Sequence, residues 1–491
     1  MLATRAAHKP LANLTLALLR KTLYASGMFR RIVCTLALWL PVTAAYAQPE
    51  LPPVHDEALE PAERPARVLK NWQEAYQLLG ARSTQLQTAI AEVVRSEAAS
   101  RTALAALLPQ LSATGTFTHQ LLTKNITSIV GSETRTDPAT GLSATVPITR
   151  DISSPQSDIF GLTASLAQPL IAPASLHAYG TAKETIVATK LSLEDTKRLL
   201  VAAAANAIVA VVTAERVAEL NRVGLRQALE RLALTKRKQE LGAANGLDVI
   251  RIEQDAATAR ATLITGDESL RQARESLGLA LGIADQVGVV PSIELDSLLQ
   301  SAKSVCSPAA SLDERADIAA AKHRARVAER NVANVNLQFL PTLGLQSTLS
   351  TTTADVGQSL ATNWSVQGVL SVPIFDGGIK YGSLRGNRAI AEQARQGLES
   401  ARRTGEVQIV QAKRAVSVAE RSLEVSNTAR TLARETDRLT RIAFQEGRGT
   451  SLELVTAATL LRQAEIGTAL REFEVVRAKV GAVLAVANCN L

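Results

Sequence analysis

Aromatic side chains are scarce in this sequence. Trp, Tyr and Phe together make 3% of 491 residues, whereas all apolar types make 46%. A core built on bulky rings is therefore disfavoured, and the prevalence of Ala, Leu, Val, Arg and Gln suits long helices that meet through small side chains. Histidine is also thin, with His8, His55, His119, His177 and His323 scattered along the chain. No His-x3-His or Cys/His cluster has metal-ligand spacing, and no Gly-x4-Gly-Lys loop is present to cradle phosphate. The sequence thus offers no catalytic constellation, no cofactor site and no metal site. Any energy its work needs must come from a partner. No basic stripe with interleaved aromatics marks a nucleic-acid surface.

Long apolar runs are also missing. The run from Ile32 to Leu40 is too short to span a bilayer. With Arg30-Arg31 before it and Ala45-Tyr46-Ala47 after it, it reads as an export signal over residues 1–47, with Met28 as an alternative start. Cys34 lacks the small preceding residues of a lipid-attachment site. The signal carries Arg5, Lys9, Arg20, Lys21, Arg30 and Arg31 and no acid, so the formal charge of +8 falls to +2 when it is removed. Only Cys306 and Cys489 then remain. An exported compartment permits a disulfide, and the sequence leaves a Cys306–Cys489 bridge and two unpaired thiols both open.

What the chain does have is an internal repeat. Leu108-Pro109-Gln110-Leu111 is answered by Leu340-Pro341-Thr342-Leu343, and Gln168-Pro169-Leu170-Ile171 by Val372-Pro373-Ile374-Phe375. Leu241-Gly242 before Leu247-Asp248-Val249 is answered by Glu446-Gly447 before Leu452-Glu453-Leu454. The landmarks define an irregular leader over 48–65, a first repeat over 66–285, a linker over 286–311, a second repeat over 312–488 and a C-terminal end at 489–491. Each repeat reads as helix, strand, strand and a long helical hairpin. In the first, a helix is expected from about Val68 to Leu108, and 121–156, rich in Ser, Thr, Gly and Pro, is expected as a long loop. In the second, a helix is expected from Asp313.

The strands are expected at about 111–120, 158–168, 342–351 and 362–372. Leu111, Ala113, Gly115 and Phe117 alternate with Ser112, Thr114, Thr116 and Thr118, a period of two. The other three alternate likewise, and their non-apolar positions carry Ser, Thr, Gln and Gly rather than charge. Ten-residue uncharged alternation fits a transmembrane β-barrel. Four strands cannot close one, and open edges are not tolerated in hydrocarbon, so the chain is expected to supply one sector of a shared barrel. Trp364 fits either an interfacial aromatic belt or a core. The rival class is a periplasmic coiled-coil adaptor or structural envelope protein, which would keep the helices and need no lipid.

The signal, the two helix–strand–strand–helix units, the Leu-Pro-x-Leu entries and the Val372-Pro373-Ile374-Phe375-Asp376-Gly377-Gly378 exit resemble the TolC-type outer-membrane factor family over about 66–488. The resemblance implies a mainly α fold with a transmembrane β-barrel sector: a homotrimer sharing a twelve-stranded barrel in outer-membrane lipid, above a long α-helical tunnel in the periplasm. It implies a periplasmic adaptor and an inner-membrane transporter, ABC or proton-driven, as partners. It also implies passive conduction in multidrug efflux or type I protein secretion. The gate is then expected at the two helix-to-helix turns. Glu453 stands where the family often has an acid, a second family acid falls at Thr456, and Asp248 matches Glu453 in the first repeat. Arg251 and Arg448 are the expected closed-state ion-pair partners. Independently of any gate, Asp248 and Glu453 lie in first helical turns, where carboxylates complement the helix dipole, and Gly242, Gly246, Gly447 and Gly449 read as turn formers. Pro169, Pro373, Gly377 and Gly378 mark the strand-to-helix turns.

Overall fold

Proline and glycine punctuate the chain where its periodicity changes, and the elements follow that punctuation. In a computed structural model the described residues are 54–121, 126–152, 158–290, 306–308, 311–353 and 362–489. The signal reading, residues 1–47, lies outside them. A short strand, β1 (Arg67–Leu69), precedes α1 (Trp72–Arg82) and α2 (Thr84–Ala105). Here the expected single helix from Val68 is corrected. Val68 is a strand residue, and Ser83, whose hydroxyl accepts the Leu86 N–H at 3.2 Å, ends one helix and caps the next.

Strands β2 (Gln110–His119) and β5 (Asp158–Ile171) flank a hairpin of β3 (Ile126–Thr136) and β4 (Ser143–Ile152). The expected long loop at 121–156 is thus largely strand. Its Ser, Thr and Gly are spread along the ladder, and only Asp137–Leu142 makes the turn. Helices α3 (Pro173–Glu240) and α4 (Gly246–Ala280) complete the first repeat, followed by β6 (Val287–Val289). The second repeat runs β7 (Cys306–Pro308), α5 (Ala316–Leu337), β8 (Thr342–Thr352), β9 (Thr362–Ser371), α6 (Ile379–Gln445), α7 (Ser451–Leu484) and β10 (Ala487–Cys489). Asp313 belongs to a separate 3-10 turn, Leu312–Glu314, rather than to α5.

The four long strands form one antiparallel sheet in the order β2-β5-β8-β9. Its register sets all four alternating patterns on a single face. Leu111 lies opposite Leu166, Phe117 opposite Phe160, Ala164 opposite Leu349, and Leu349 opposite Trp364. Phe117 and Phe160 stack with ring centroids 4.9 Å apart. The opposite face is hydroxylic and amidic: Ser112 and Ser165 hydroxyls meet at 2.9 Å, and Gln367 donates to Gln346 at 3.1 Å. Trp364 is 74% exposed, and its indole N–H donates to Ser347 Oγ at 2.9 Å, so within one chain it is no core residue. A one-residue slip of any strand would mix the faces.

Each repeat is closed at its base by a small sheet of its own first and last strands. β1 pairs with β6 in parallel, and β7 pairs with β10 antiparallel. Around these clamps lies the main apolar core, with Leu69, Trp72, Leu79, Val201, Ile208, Leu277, Val287, Cys306, Leu484 and Ala487 all buried. Among the described residues α3 is the one helix long and apolar enough to cross a membrane, but its Leu200, Val201, Ala204, Ala205, Ile208 and Val211 are buried in this core.

A buried arginine ties the second clamp to the helices. Arg315, 2% exposed, donates to both Asp317 oxygens at 2.7 and 2.6 Å, to Gln408 of α6 at 2.8 Å and to the Ala485 carbonyl after α7 at 3.2 Å. Burial alone would raise the Asp317 carboxyl. The hydrogen bonds and charge of Arg315 outweigh it, with Arg198 adding, and hold the carboxyl below its usual range. This contribution is present above the ordinary aspartate pKa of about 3.9 and is lost as pH falls through the depressed value. Arg315→Met leaves Asp317, Gln408 and the Ala485 carbonyl without their donor. Breaking such a pair costs about 3 kcal/mol or more, and the expected loss is read as a lower urea midpoint at neutral pH.

Candidate functional site: the tips of the two helical hairpins

Both long helices must reverse, and both do so by the same local chemistry. Gly242 and Gly447 each adopt φ of +74°, the left-handed conformation that glycine takes without strain. The next residue closes the turn in each case: Ala243 N–H donates to the Lys238 carbonyl at 2.7 Å, and Arg448 N–H to the Ala443 carbonyl at 2.8 Å. This is the six-to-one bond that satisfies orphan carbonyls at a helix end.

The return helices begin with reciprocal caps. Asn245 Oδ1 accepts the Asp248 N–H at 2.8 Å while Asp248 Oδ2 accepts the Asn245 N–H at 3.4 Å. Thr450 Oγ1 accepts the Glu453 N–H at 3.2 Å while Glu453 Oε2 accepts the Thr450 N–H at 2.9 Å. The backbone bond from Thr450, followed by that from its hydroxyl, holds the exposed Glu453 carboxyl below its usual pKa. Both acids lie in the first turn, as the spacing predicts, and Asn245 and Thr450 are their partners. The Asn/Thr-x-x-Asp/Glu spacing of a capping box marks them.

The two carboxylates differ in what else they touch. Ser451 is 1% exposed, and its hydroxyl donates to Asp248 Oδ1 in a close contact, joining the start of α7 to the start of α4. Among the described residues Glu453 has no such tie across the chain, and its side chain is exposed. Thr456 is exposed one turn later. The expected arginine partners are not brought to either acid within the chain. Arg448 lies 3.7 Å from Glu446 in its own turn with its side chain 82% exposed, and Arg251, half-buried, makes no ion pair among the described residues. A flexible exposed arginine finds the nearest carboxylate, and Glu446 is two residues away.

Two further links join the hairpins. Asp255 of α4 is 5% exposed and receives Arg231 of α3 at 2.6 Å, with Arg462 of α7 at 3.9 Å. Lys238 of α3 sits 4.5 Å from the Phe444 ring centroid at the end of α6 and 3.4 Å from its carbonyl. No local spacing announces these contacts, since each joins different helices.

At the strand-to-helix turns one assignment changes. Pro169 is a strand residue of β5, beside a bulge between Pro169 and Ile171. Proline lacks a ladder donor and suits a bulge, and Pro173 instead takes the first position of α3. Pro373 does lie in the segment between β9 and α6, which ends in Gly377 and Gly378 at φ of +70° and +92°. Asp376 accepts the Gly378 and Lys380 N–H groups at 3.1 Å each, so it is a capping residue. Cys306 is disulfide-bonded, and the ladder sets its Cα opposite that of Cys489, whose side chain lies outside the described residues. No group of three His, Cys, Asp or Glu side chains is placed to hold a metal among the described residues.

Comparison with known proteins finds the family model for outer membrane efflux proteins matching residues 75–283 and 308–481. The toluene efflux pump outer membrane protein TtgC of Pseudomonas putida is 25% identical over 281 residues, 57% of this chain and 54% of that protein. The chain matches about half the length of the curated relatives. The crystal structure of VceC from Vibrio cholerae superposes with a TM-score of 0.66 at 16% identity, covering 84% of this chain and 95% of that one. CmeC of Campylobacter jejuni gives 0.68 at 13% identity, covering 88% and 91%. At these identities the superpositions speak for the fold.

The buried carboxylate makes the clearest test of how the hairpins are joined. Asp255→Ala strands Arg231 and Arg462, both largely buried, and is expected to cost about 3 kcal/mol or more. Faster amide exchange in the lower halves of α3, α4 and α7 would report it, and an unchanged exchange profile would contradict it.

Proposed function

The chain belongs to the outer membrane efflux protein family, and on that premise we propose that it is one third of a homotrimeric outer-membrane conduit for efflux. The observation that carries this reading is the sheet. Among the described residues it is open, with β2 and β9 as edges, and one face is mainly apolar while the other carries hydroxyls and amides. In hydrocarbon every unpaired edge group is costly and only closed barrels satisfy them all. Three copies of the four strands would close such a barrel with the apolar face to lipid and the hydroxylic face to a water-filled lumen. A periplasmic coiled-coil protein would leave the apolar face without a purpose.

The long helical hairpins then extend into the periplasm as a tunnel, with the two turns at its inner end. Conduction is passive: adaptor and inner-membrane transporter supply the energy and choose the cargo. The family description and the relative's name both speak of efflux, which favours small molecules over secreted proteins as cargo.

Glu453 is the residue of the gate. Three such carboxylates around the axis form a ring of negative charge that favours cations, while Asp248 is occupied by Ser451. Thr456 in place of a second acid leaves one charged ring on α7. Glu453→Gln is expected to lower cation preference, read as a reversal potential closer to zero across a potassium chloride gradient in planar bilayers. Because hydrogen bonds hold the Glu453 carboxyl below its usual pKa, wild-type preference should persist as pH falls through about 4.3 and fade only below it. Selectivity unchanged by the substitution would remove Glu453 from the lumen.

The same reading pairs Cys306 with Cys489. Residues directly opposite in an antiparallel ladder have Cα atoms about 4.5–5.5 Å apart, within the span of a disulfide, and the bond would close the whole second repeat into a covalent loop. A peptide map of unreduced protein is expected to contain the Cys306–Cys489 linked pair. A free thiol at Cys489 would contradict the pairing.

A further inference from the structure

Asn221 of α3 is 3% exposed, and its amide is only half satisfied. The amide nitrogen donates to the Thr262 carbonyl of α4 at 3.4 Å, which fixes the orientation of the group. The amide oxygen is buried and accepts no hydrogen bond among the described residues. A buried acceptor without a donor is costly. Gly266 makes the approach of the two helices possible here, since a β-carbon on it would come within 2.6 Å of Asn221 Nδ2.

Asn221 lines a cleft of about 280 Å³ between α3, α4 and α7, together with Val217, Thr262, Thr265, Ser269 and Ile466. With the nitrogen turned to the α4 backbone, the oxygen is the end of the amide left for the cleft. The hydroxyls of α4 offer oxygens as well. Thr262 donates to the Thr258 carbonyl at 2.8 Å, Thr265 to the Thr262 carbonyl at 3.0 Å and Ser269 to the Thr265 carbonyl at 2.9 Å. Each hydroxyl hydrogen is thereby engaged by its own helix, and lone pairs remain. The neighbouring cations are committed elsewhere. Arg222 pairs with Glu219 at 3.2 Å and Asp267 at 3.1 Å, and Arg462, one turn before Ile466, lies 3.9 Å from Asp255.

The second repeat has the same place closed. Glu240 and Gln445 end the long helices, Gly246 and Ser451 begin the return helices, and each pair is 205 positions apart. On that correspondence Asn221 becomes Ser426, whose hydroxyl meets that of Thr468 at 3.0 Å. Thr262 and Thr265 become Gly467 and Leu470. Gly266 and Ser269 become Arg471 and Glu474, which pair with each other. The cluster of acceptors therefore belongs to the first repeat alone and is no by-product of the hairpin architecture.

Four neutral acceptor oxygens beside an apolar wall suit a group that only donates. A primary ammonium has three donors and no acceptor, whereas a hydroxyl or amide would bring lone pairs against lone pairs. We propose that this cleft binds the primary ammonium group of a small alkylamine, held by Asn221 Oδ1 and the hydroxyl oxygens of Thr262, Thr265 and Ser269, with the alkyl chain against Val217 and Ile466. About 28 Å of helix separates Asn221 from the end of α3 at Glu240, so the site is distinct from Glu453 and the turns. It does not depend on the ring of copies.

Equilibrium dialysis of the full-length, detergent-solubilised protein against radiolabelled n-butylammonium tests the site, with detergent alone as the blank. Saturable binding of one amine per chain is expected. Butyltrimethylammonium keeps the charge and the chain but has no N–H, and it should compete about tenfold less well or worse. Asn221→Leu should weaken n-butylammonium binding by about tenfold or more, with a urea midpoint unchanged or higher because a buried acceptor is removed. Thr265→Val, at an exposed position, replaces it if the leucine variant fails to assemble, and should weaken binding in the same direction. Binding that does not saturate, equal competition by the trimethyl analogue, or wild-type affinity in the variant overturns the site. A lower urea midpoint in Asn221→Leu means that the amide oxygen already has a partner in the fold, and overturns the premise.

Discussion

The rest of the structure depends on the hydrogen-bonding groups along the outer edges of β2 and β9, which pair with no strand among the described residues. Inside a bilayer such groups have no water to turn to, and each costs several kcal/mol when left unsatisfied. A sheet of four strands that is mainly apolar on one face, with His119 and Asp158 paired at one end of it, and hydroxylic on the other is suited to that place but cannot remain there alone. Closure by other copies resolves the edges, sets the lumen inside the hydroxylic face, and requires the helices below to stand in a ring.

Duplication gives this ring near-equivalent parts, and the places where the two copies differ are where function resides. The two turns share a left-handed glycine, a six-to-one backbone bond and a capping box. They part company at the acid. Asp248 is tied across the chain by Ser451, whereas Glu453 bonds only within its own capping box among the described residues. The first repeat also carries the β3–β4 hairpin, while its base is held by a parallel pair of strands and the base of the second by an antiparallel pair beside the disulfide-bonded Cys306.

The sequence made the repeat, the four strands and the hairpin turns legible, because each rests on local periodicity or on punctuation by proline and glycine. Strand alternation could be read at Leu111 to Phe117, yet that all four patterns share one face depends on register, which only pairing reveals. The clamps are not legible, because three-residue strands such as Arg67–Leu69 carry no period. The β3–β4 hairpin was hidden by its Ser, Thr and Gly content, which marks loops and exposed strands alike. The place of Pro169 is not legible, because a proline near a strand end fits a bulge as well as an exit. At the site, Asp248 and Glu453 were visible from their place in the first turn. Asp255, Arg231 and Arg462 were not, since buried charge that joins three helices leaves no local trace.

The mass of the detergent-solubilised particle tests the central claim most directly. Sedimentation equilibrium, corrected for bound detergent, should give three chains of 52.1 kDa less any removed leader, with no smaller species when the protein is diluted. A particle of one or two chains would leave the edges of β2 and β9 open and contradict the account.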